Sequence, residues 1–310
     1  MVKIGSSDLD VSRLCLGGNV FGWTADRDTS FAVLDAYAAA GGNFIDTSDS
    51  YMWRAPGNSG GESETIIGEW MAARGNRDAI VVATKVGSWP QRPGLSRANI
   101  TAAAEDSLRR LRTDRIDLYY AHRDDPDTAQ EETLDAFDGL VRAGKVRAIG
   151  ASNFTAERLR SALEISARDG LTPYVALQPH YNLLERAEFE TALAPLLAEQ
   201  GLACLPYFGL AKGFLTGKYR PGTNVESSRA EGALVYLDDR GLRVLGVLDE
   251  IAAGHDVPLA AVSLAWLADQ PTVSAPIASA RTTEQLADLL PMLELHLTDD
   301  ELRLLRYVSD

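Results

Sequence analysis

Residues 79–122 read AIVVATKVGSWPQRPGLSRANITAAAEDSLRRLRTDRIDLYYAH, and this stretch decides the fold. It opens on AIVVATKV and closes on RIDLYYAH, two short runs that are nearly all apolar, as parallel strands buried on both faces are. Between them, TAAAEDSLRRLRTD places Ala103, Leu108 and Leu111 near a helical period of about 3.6, with acids early and arginines late to match the helix dipole. The stretch is one strand–helix–strand unit.

The same unit recurs in both directions. Six further runs stand out: RLCLG from Arg13, NFIDT from Asn43, VRAIGAS from Val146, YVALQ from Tyr174, LACLPY from Leu202 and TVSAPIAS from Thr272. Successive starts lie 28 to 36 residues apart, enough for a strand, a helix and two loops, except for a last interval of 70 residues. In DTSFAVLDAYAAAGG, Thr29 or Ser30 is the expected helix cap and Gly41 the expected end. Eight such units without a linker predict one (β/α)8 TIM barrel over residues 1–310. VKIGSSDLDV reads as a short hairpin closing its bottom, and LTDDELRLLRYVSD as a last amphipathic helix. The competing reading is a doubly wound open sheet, which LCLGGNVFG disfavours because it lacks the G-x-G-x-x-G spacing. The long interval contains GFLTGKYRPGTNVESSRAEGALVYLDD, rich in Gly, Pro, Ser and Asn. Such a loop in a compact domain is usually functional, so a lid is expected over about residues 208–239.

Composition excludes several classes. The chain has 310 residues, 45% hydrophobic and 24% charged, so disorder and collagen are out. No apolar run approaches the roughly 20 residues that span a bilayer, and the amino terminus has no apolar core behind a basic start, so we expect a cytoplasmic protein with no membrane partner. A net charge of -14 disfavours a nucleic-acid partner, and any phosphate group needs a local cationic pocket. Cys15 and Cys204 sit in apolar runs, which argues for buried thiols and against a disulfide or zinc site.

In such a barrel the chemistry gathers at the carboxyl ends of the strands. There the second run ends in Asp46, followed by Tyr51, the third in Lys85 and the fourth in His122. A Lys85 ammonium held by Asp46 is expected to stabilise a Tyr51 phenolate and lower a pKa that starts near ~10. Tyr51 then acts as general acid towards a carbonyl oxygen, and His122 donates a second hydrogen bond. Each residue also has an ordinary reading, as rim carboxylate, packed aromatic or ion-pair partner. The four together, in order, favour catalysis.

The sequence resembles the aldo-keto reductase family. The resemblance rests on GGNFIDTSDSY, GESETIIGEW, ATK, YYAHR, GASN, LQPHYN, GFLTGKY and ASARTTEQL, in that order from Leu14 to about Leu289. It implies a nicotinamide-dependent reductase of small aldehydes or ketones, with Tyr51 supplying the proton and Asp46, Lys85 and His122 assisting. Ser152, Asn153 and Gln178 match positions that hold the nicotinamide carboxamide, and Tyr207 matches the aromatic stacked on its ring. Leu215, Gly217 and Lys218 match the stretch over the pyrophosphate. Ser279, Arg281 and Gln285 match the adenosine end, where a guanidinium favours NADPH (NADP+) over NADH. The sequence departs from the family at Phe208 and Gly209, in place of Ser and Pro, and at Leu289, in place of an Asn facing adenine. A cofactor-binding regulatory or scaffold subunit with little turnover is the alternative.

Several aromatic and histidine positions remain. Trp23, Trp53 and Trp89 follow the first three runs and are expected either to wall an apolar substrate pocket or to pack in the core. His180, two residues after Gln178, suggests a metal site with His122 and Asp46 only weakly, because no second His or acid stands near the first strand. His255 and His296 fall in helix-rich outer segments, and no metal is expected.

Overall fold

The computed structural model describes residues 1–227 and 229–310; Ser228, within the expected lid, lies outside the described residues. Eight parallel strands are present: β1 (Cys15–Gly17), β2 (Phe44–Asp46), β3 (Val81–Val86), β4 (Ile116–Ala121), β5 (Val146–Ser152), β6 (Tyr174–Gln178), β7 (Ala203–Cys204) and β8 (Ile277–Ala278). Neighbours pair in sequence order, and β8 pairs with β1. The backbone also joins β7 to β8: Ser274 N donates to Cys204 O at 2.9 Å and Ile277 N to Pro206 O at 2.9 Å. The sheet therefore curls into the (β/α)8 barrel, whose shape places every strand's carboxyl end at one mouth.

Helices α1 (Arg27–Ala39), α2 (Glu62–Arg74), α3 (Arg97–Leu111), α4 (Gln130–Arg142), α5 (Ala156–Asp169) and α6 (Ala194–Gln200) follow the first six strands. The long interval before β8 holds α7 (Ala230–Leu234), α8 (Asp239–His255) and α9 (Leu259–Ala268), so much of it is helical. α10 (Thr283–Leu289) and α11 (Asp299–Val308) complete the ring. Asp26, not Thr29 or Ser30, caps α1, its side chain accepting from Thr29 N; the extended backbone at Asp26 puts its carboxylate over the first turn. Thr298 and Glu301 form a capping box that starts α11. The eighth strand begins five residues later than Thr272, because the chain from Thr272 to Pro276 is spent bridging to β7. No single helix among the described residues is long and apolar enough to cross a membrane.

Two apolar layers hold the barrel. The outer one packs helices on the sheet, with Leu34, Trp70, Leu111, Phe137 and Trp266 at 0% exposure. The inner one fills the barrel with Cys15, Phe44, Ala83, Leu118, Tyr120 and Ala176. The strand pairing Val2–Lys3 with Asp10–Val11 plugs the bottom, burying Ile4, Leu9 and Val11. The turn within it requires glycine: at Gly5, with φ +51°, a Cβ would lie 2.2 Å from Val175 O. Higher up, Gly150 leaves room for the Tyr120 ring, which a Cβ there would meet at 2.6 Å. A plugged bottom leaves the mouth as the barrel's open end.

Candidate active site

The parallel register brings three strand ends together. Asp46 ends β2, Lys85 lies near the end of β3, and His122 directly follows β4. Lys85 is wholly buried, and its ammonium spends all three protons: Nζ donates to Asp46 Oδ2 at 2.6 Å, Thr47 O at 2.8 Å and Tyr51 Oη at 2.6 Å. Tyr51 Oη in turn donates to Asp46 Oδ2 at 2.9 Å, and Gln178 Nε2 donates to Asp46 Oδ1 at 2.8 Å. Asp46 thus ties an ammonium, a phenol and an amide into one knot.

The electrostatics correct one expectation. Tyr51 is held well above the ordinary tyrosine range, first by burial and then by the Asp46 carboxylate that accepts its proton. That combination outweighs the Lys85 ammonium, so the proton stays on Tyr51 in this arrangement. Burial pulls Lys85 down while Asp46 opposes it. His122 is pushed well below the usual histidine range by burial, Lys85 and Arg123, so it is neutral at physiological pH. Its ring meets that of Tyr51 edge-on, with centroids 6.0 Å apart, and its Nδ1 faces Ser48 Oγ at 3.2 Å.

Above the knot a cavity of about 520 Å³ runs across the mouth. At the end nearest Asp46, Tyr51 and His122 its walls carry Ser152, Asn153, Gln178 and Tyr207. Asn153 Nδ2 donates to His122 O at 2.9 Å, its Oδ1 accepts from Tyr207 Oη at 2.8 Å, and Ser152 Oγ donates to Gln178 O at 2.9 Å. Lys218, Ser279, Arg281 and Gln285 also line the cavity; Gln285 Oε1 accepts from Arg281 N at 3.0 Å. Lys218 and Arg281 form no ion pair among the described residues. A cavity with amides and hydroxyls around one part and free cations around another fits a dinucleotide with an amide head and phosphates.

The profile of the aldo/keto reductase family matches residues 13–310. The chain belongs to this family. It is 36% identical to the uncharacterized oxidoreductase YrpG of Bacillus subtilis, over 97% of this chain and 93% of that protein. It is 34% identical to the norsolorinic acid reductase stcV of Emericella nidulans, over 94% and 76%. It is also 34% identical to a probable voltage-gated potassium channel subunit beta of rice, over 96% and 94%. Family membership supports oxidoreductase chemistry on carbonyl compounds with a nicotinamide cofactor.

In this aldo/keto reductase some expected residues stand apart from the cavity. Leu215 is fully buried in the outer core, and a Cβ at Gly217 would press on Leu259 at 2.7 Å, so both shape the loop from behind. Trp23, Trp53 and Trp89 are half-buried and are not among the lining residues. Arg54 lies over the Trp53 ring, and Arg92 and Arg110 lie over that of Trp89. His180 stacks on Tyr207 with centroids 5.4 Å apart, and no cluster of metal-ligating side chains occurs among the described residues. Cys15 and Cys204 are buried free thiols.

Asn19, Arg123, Lys212 and Arg229 also line the cavity, without a motif in the sequence that marks them. Arg229 matters most. It donates to Asn19 Oδ1 at 3.1 Å, has no carboxylate partner among the described residues, and is pulled down by burial and by nearby Arg281. Asn19 Oδ1 also accepts from Ser279 Oγ at 2.7 Å, which places Arg229 beside the expected adenosine end. The only signal in the sequence was an arginine between Glu226 and Glu231 in the Gly-, Ser- and Asn-rich part of the long loop.

Proposed function

We propose that the protein reduces aldehydes or ketones to alcohols in the cytoplasm, using NADPH, with Tyr51 as the proton donor. The observation that carries this reading is the knot in which Lys85 donates to the same Tyr51 oxygen that donates to Asp46. When bound, NADPH supplies the hydride. Ser152, Asn153 and Gln178 would hold its amide head, and Lys218, Arg229 and Arg281 its phosphates. Tyr51 and His122 offer two O–H and N–H donors to the substrate oxygen, which gains charge as it is reduced. Tyr51 turns its proton from Asp46 to that oxygen, and Lys85, already donating to the phenolic oxygen, stabilises the phenolate left behind. Asp46 keeps Lys85 charged inside a buried site. The segment around Lys218, in the expected lid, would close over the phosphates, and Lys218 should gain protection from protease when NADPH binds.

The test follows NADPH oxidation with a panel of aldehydes and ketones for the wild type and Tyr51→Phe. Turnover by the wild type and its collapse in the variant is the expected outcome. Equal rates would remove Tyr51 from the chemistry. The likeness to a probable potassium channel beta subunit favours a second reading, a cofactor-binding subunit with little turnover. Tight NADPH binding without hydride transfer to any carbonyl would select it.

A further inference from the structure

Behind His122 stands a short polar chain that the mechanism above does not use. Ser48 Oγ lies 3.2 Å from His122 Nδ1, 3.3 Å from Asp49 Oδ1 and 3.1 Å from Ser50 Oγ, and it accepts from Ser50 N at 3.2 Å. All three residues of the 48–50 segment are buried. A hydroxyl has a single proton to give, so Ser48 cannot donate to His122 and to Asp49 at once. We propose that Ser48 and Asp49 are positioning residues that decide which ring nitrogen of His122 carries the proton presented to the cavity.

His122 is neutral, so one nitrogen is a donor and the other an acceptor. When Asp49 is ionised, its carboxylate draws the Ser48 proton, because a charged acceptor makes the stronger bond. Ser48 then meets His122 only as an acceptor, Nδ1 keeps the proton, and Nε2 faces the cavity bare. When Asp49 is protonated that pull ends. Ser48 donates to Nδ1, and the proton resides on Nε2, where it can serve a carbonyl oxygen. One proton on Asp49 thereby switches His122 between donor and acceptor.

Asp49 is placed to titrate. It is 1% exposed, and its Oδ2 has no hydrogen-bond partner. Burial and the neighbouring Glu64 carboxylate push it up to about 7, against Arg110 and the Ser48 and Ser50 hydroxyls. Lys85 from β3 and Tyr119 from β4 also face it, and Lys85 and Arg123 face His122. Glu64 is bonded away from the Ser48 chain, to Arg110 at 2.6 Å and to Thr84 Oγ1 at 2.6 Å.

The consequence for activity rests on the reductase reading; the tautomer itself does not. The test is 15N-histidine NMR on the full chain, with the His122 signal assigned among the four histidines by His122→Gln. The expected wild-type signal moves from Nε2–H to Nδ1–H between about pH 6 and 8. In Ser48→Ala the change across that interval disappears; in Asp49→Asn, whose amide can only offer N–H to Ser48 or accept weakly, Nε2–H persists throughout. In parallel, kcat/KM for aldehyde reduction should fall roughly tenfold across the same interval in the wild type and stay level in Asp49→Asn. A wild-type tautomer that is constant with pH, or a Ser48→Ala variant that titrates as the wild type does, overturns the relay. A tautomer that switches while kcat/KM stays flat upholds the relay and removes His122 as the substrate's donor.

Discussion

Asp46 and Asp117 are equally buried, at 1% and 0% exposure, at opposite ends of the same barrel, yet their partners differ in kind. Near the bottom, Asp117 Oδ2 accepts from Arg77 Nη2 at 2.7 Å and Val82 N at 2.9 Å, while Oδ1 accepts from Arg147 Nη1 at 2.9 Å. Guanidinium and backbone donors keep their protons at any ordinary pH, so this cluster can only hold the strands together. At the mouth, Asp46 faces a lysine and a tyrosine, both able to change charge. Similar burial thus meets fixed partners at one end and titratable ones at the other, and under the proposed reductase mechanism only the second set can take part in proton transfer.

Two substitutions can break that contrast. Asp117→Asn leaves Arg77 and Arg147 short of their countercharge and should cost about 3 to 5 kcal/mol of stability, with kcat per folded molecule unchanged. Denaturant unfolding and active-site titration measure both, and a loss of kcat without a loss of stability would place chemistry at the bottom. Asp46→Asn should act mainly on turnover, because a buried lysine, unlike an arginine, can shed its proton when its carboxylate is gone. Lys85 loses the carboxylate that keeps it charged, Tyr51 loses its stabilised product state, and kcat/KM falls roughly 10²-fold, about 3 kcal/mol. If Asp46→Asn instead unfolds the protein while Asp117→Asn lowers turnover, the roles are exchanged.

The same contrast marks what could be read from the residues alone. Lys85, Asp46 and His122 were legible because an ionisable residue ending an apolar run is conspicuous, and strand periodicity fixed which end of the barrel they share. The direction of the Tyr51 shift was not legible. Lys85 and Asp46 pull it oppositely, and only the geometry shows that Tyr51 donates to Asp46 inside a buried knot. Arg229 and Asn19 were missed because their approach depends on the course of an irregular loop, which no period encodes. Trp23, Trp53 and Trp89 follow strands by number, but arginine neighbours hold the Trp53 and Trp89 rings and none of the three reaches the cavity wall.

Within the mouth, a second contrast separates the neutral amides near His122 from the cations around Arg281. Arg281→Ala should weaken NADPH binding roughly 30-fold, about 2 kcal/mol, because a phosphate loses a charged donor. NADH, lacking that phosphate, should lose less than about threefold. Fluorescence titration with both cofactors decides it. Equal losses would move the 2'-phosphate away from Arg281 and towards Arg229, which the structure sets beside it.

Asp49 sharpens the comparison of the two buried aspartates, because it has neither the arginines of Asp117 nor the lysine bond of Asp46. Its folded pKa of about 7 lies above the unfolded value, so the native state holds its proton more tightly. That stabilisation is complete below the unfolded pKa near ~4 and declines as pH rises towards the folded value, since the unfolded chain has already released its proton. Between pH 6 and 7 this single group should remove about 1 kcal/mol of stability, and less above pH 7 once the folded carboxyl is also ionised. Asp49→Asn cannot ionise, so its unfolding free energy should run flatter than the wild type's over that interval by the same amount. Parallel curves for the two proteins would mean that Asp49 stays ionised in the folded state, with its unpartnered oxygen reaching a donor the geometry does not show.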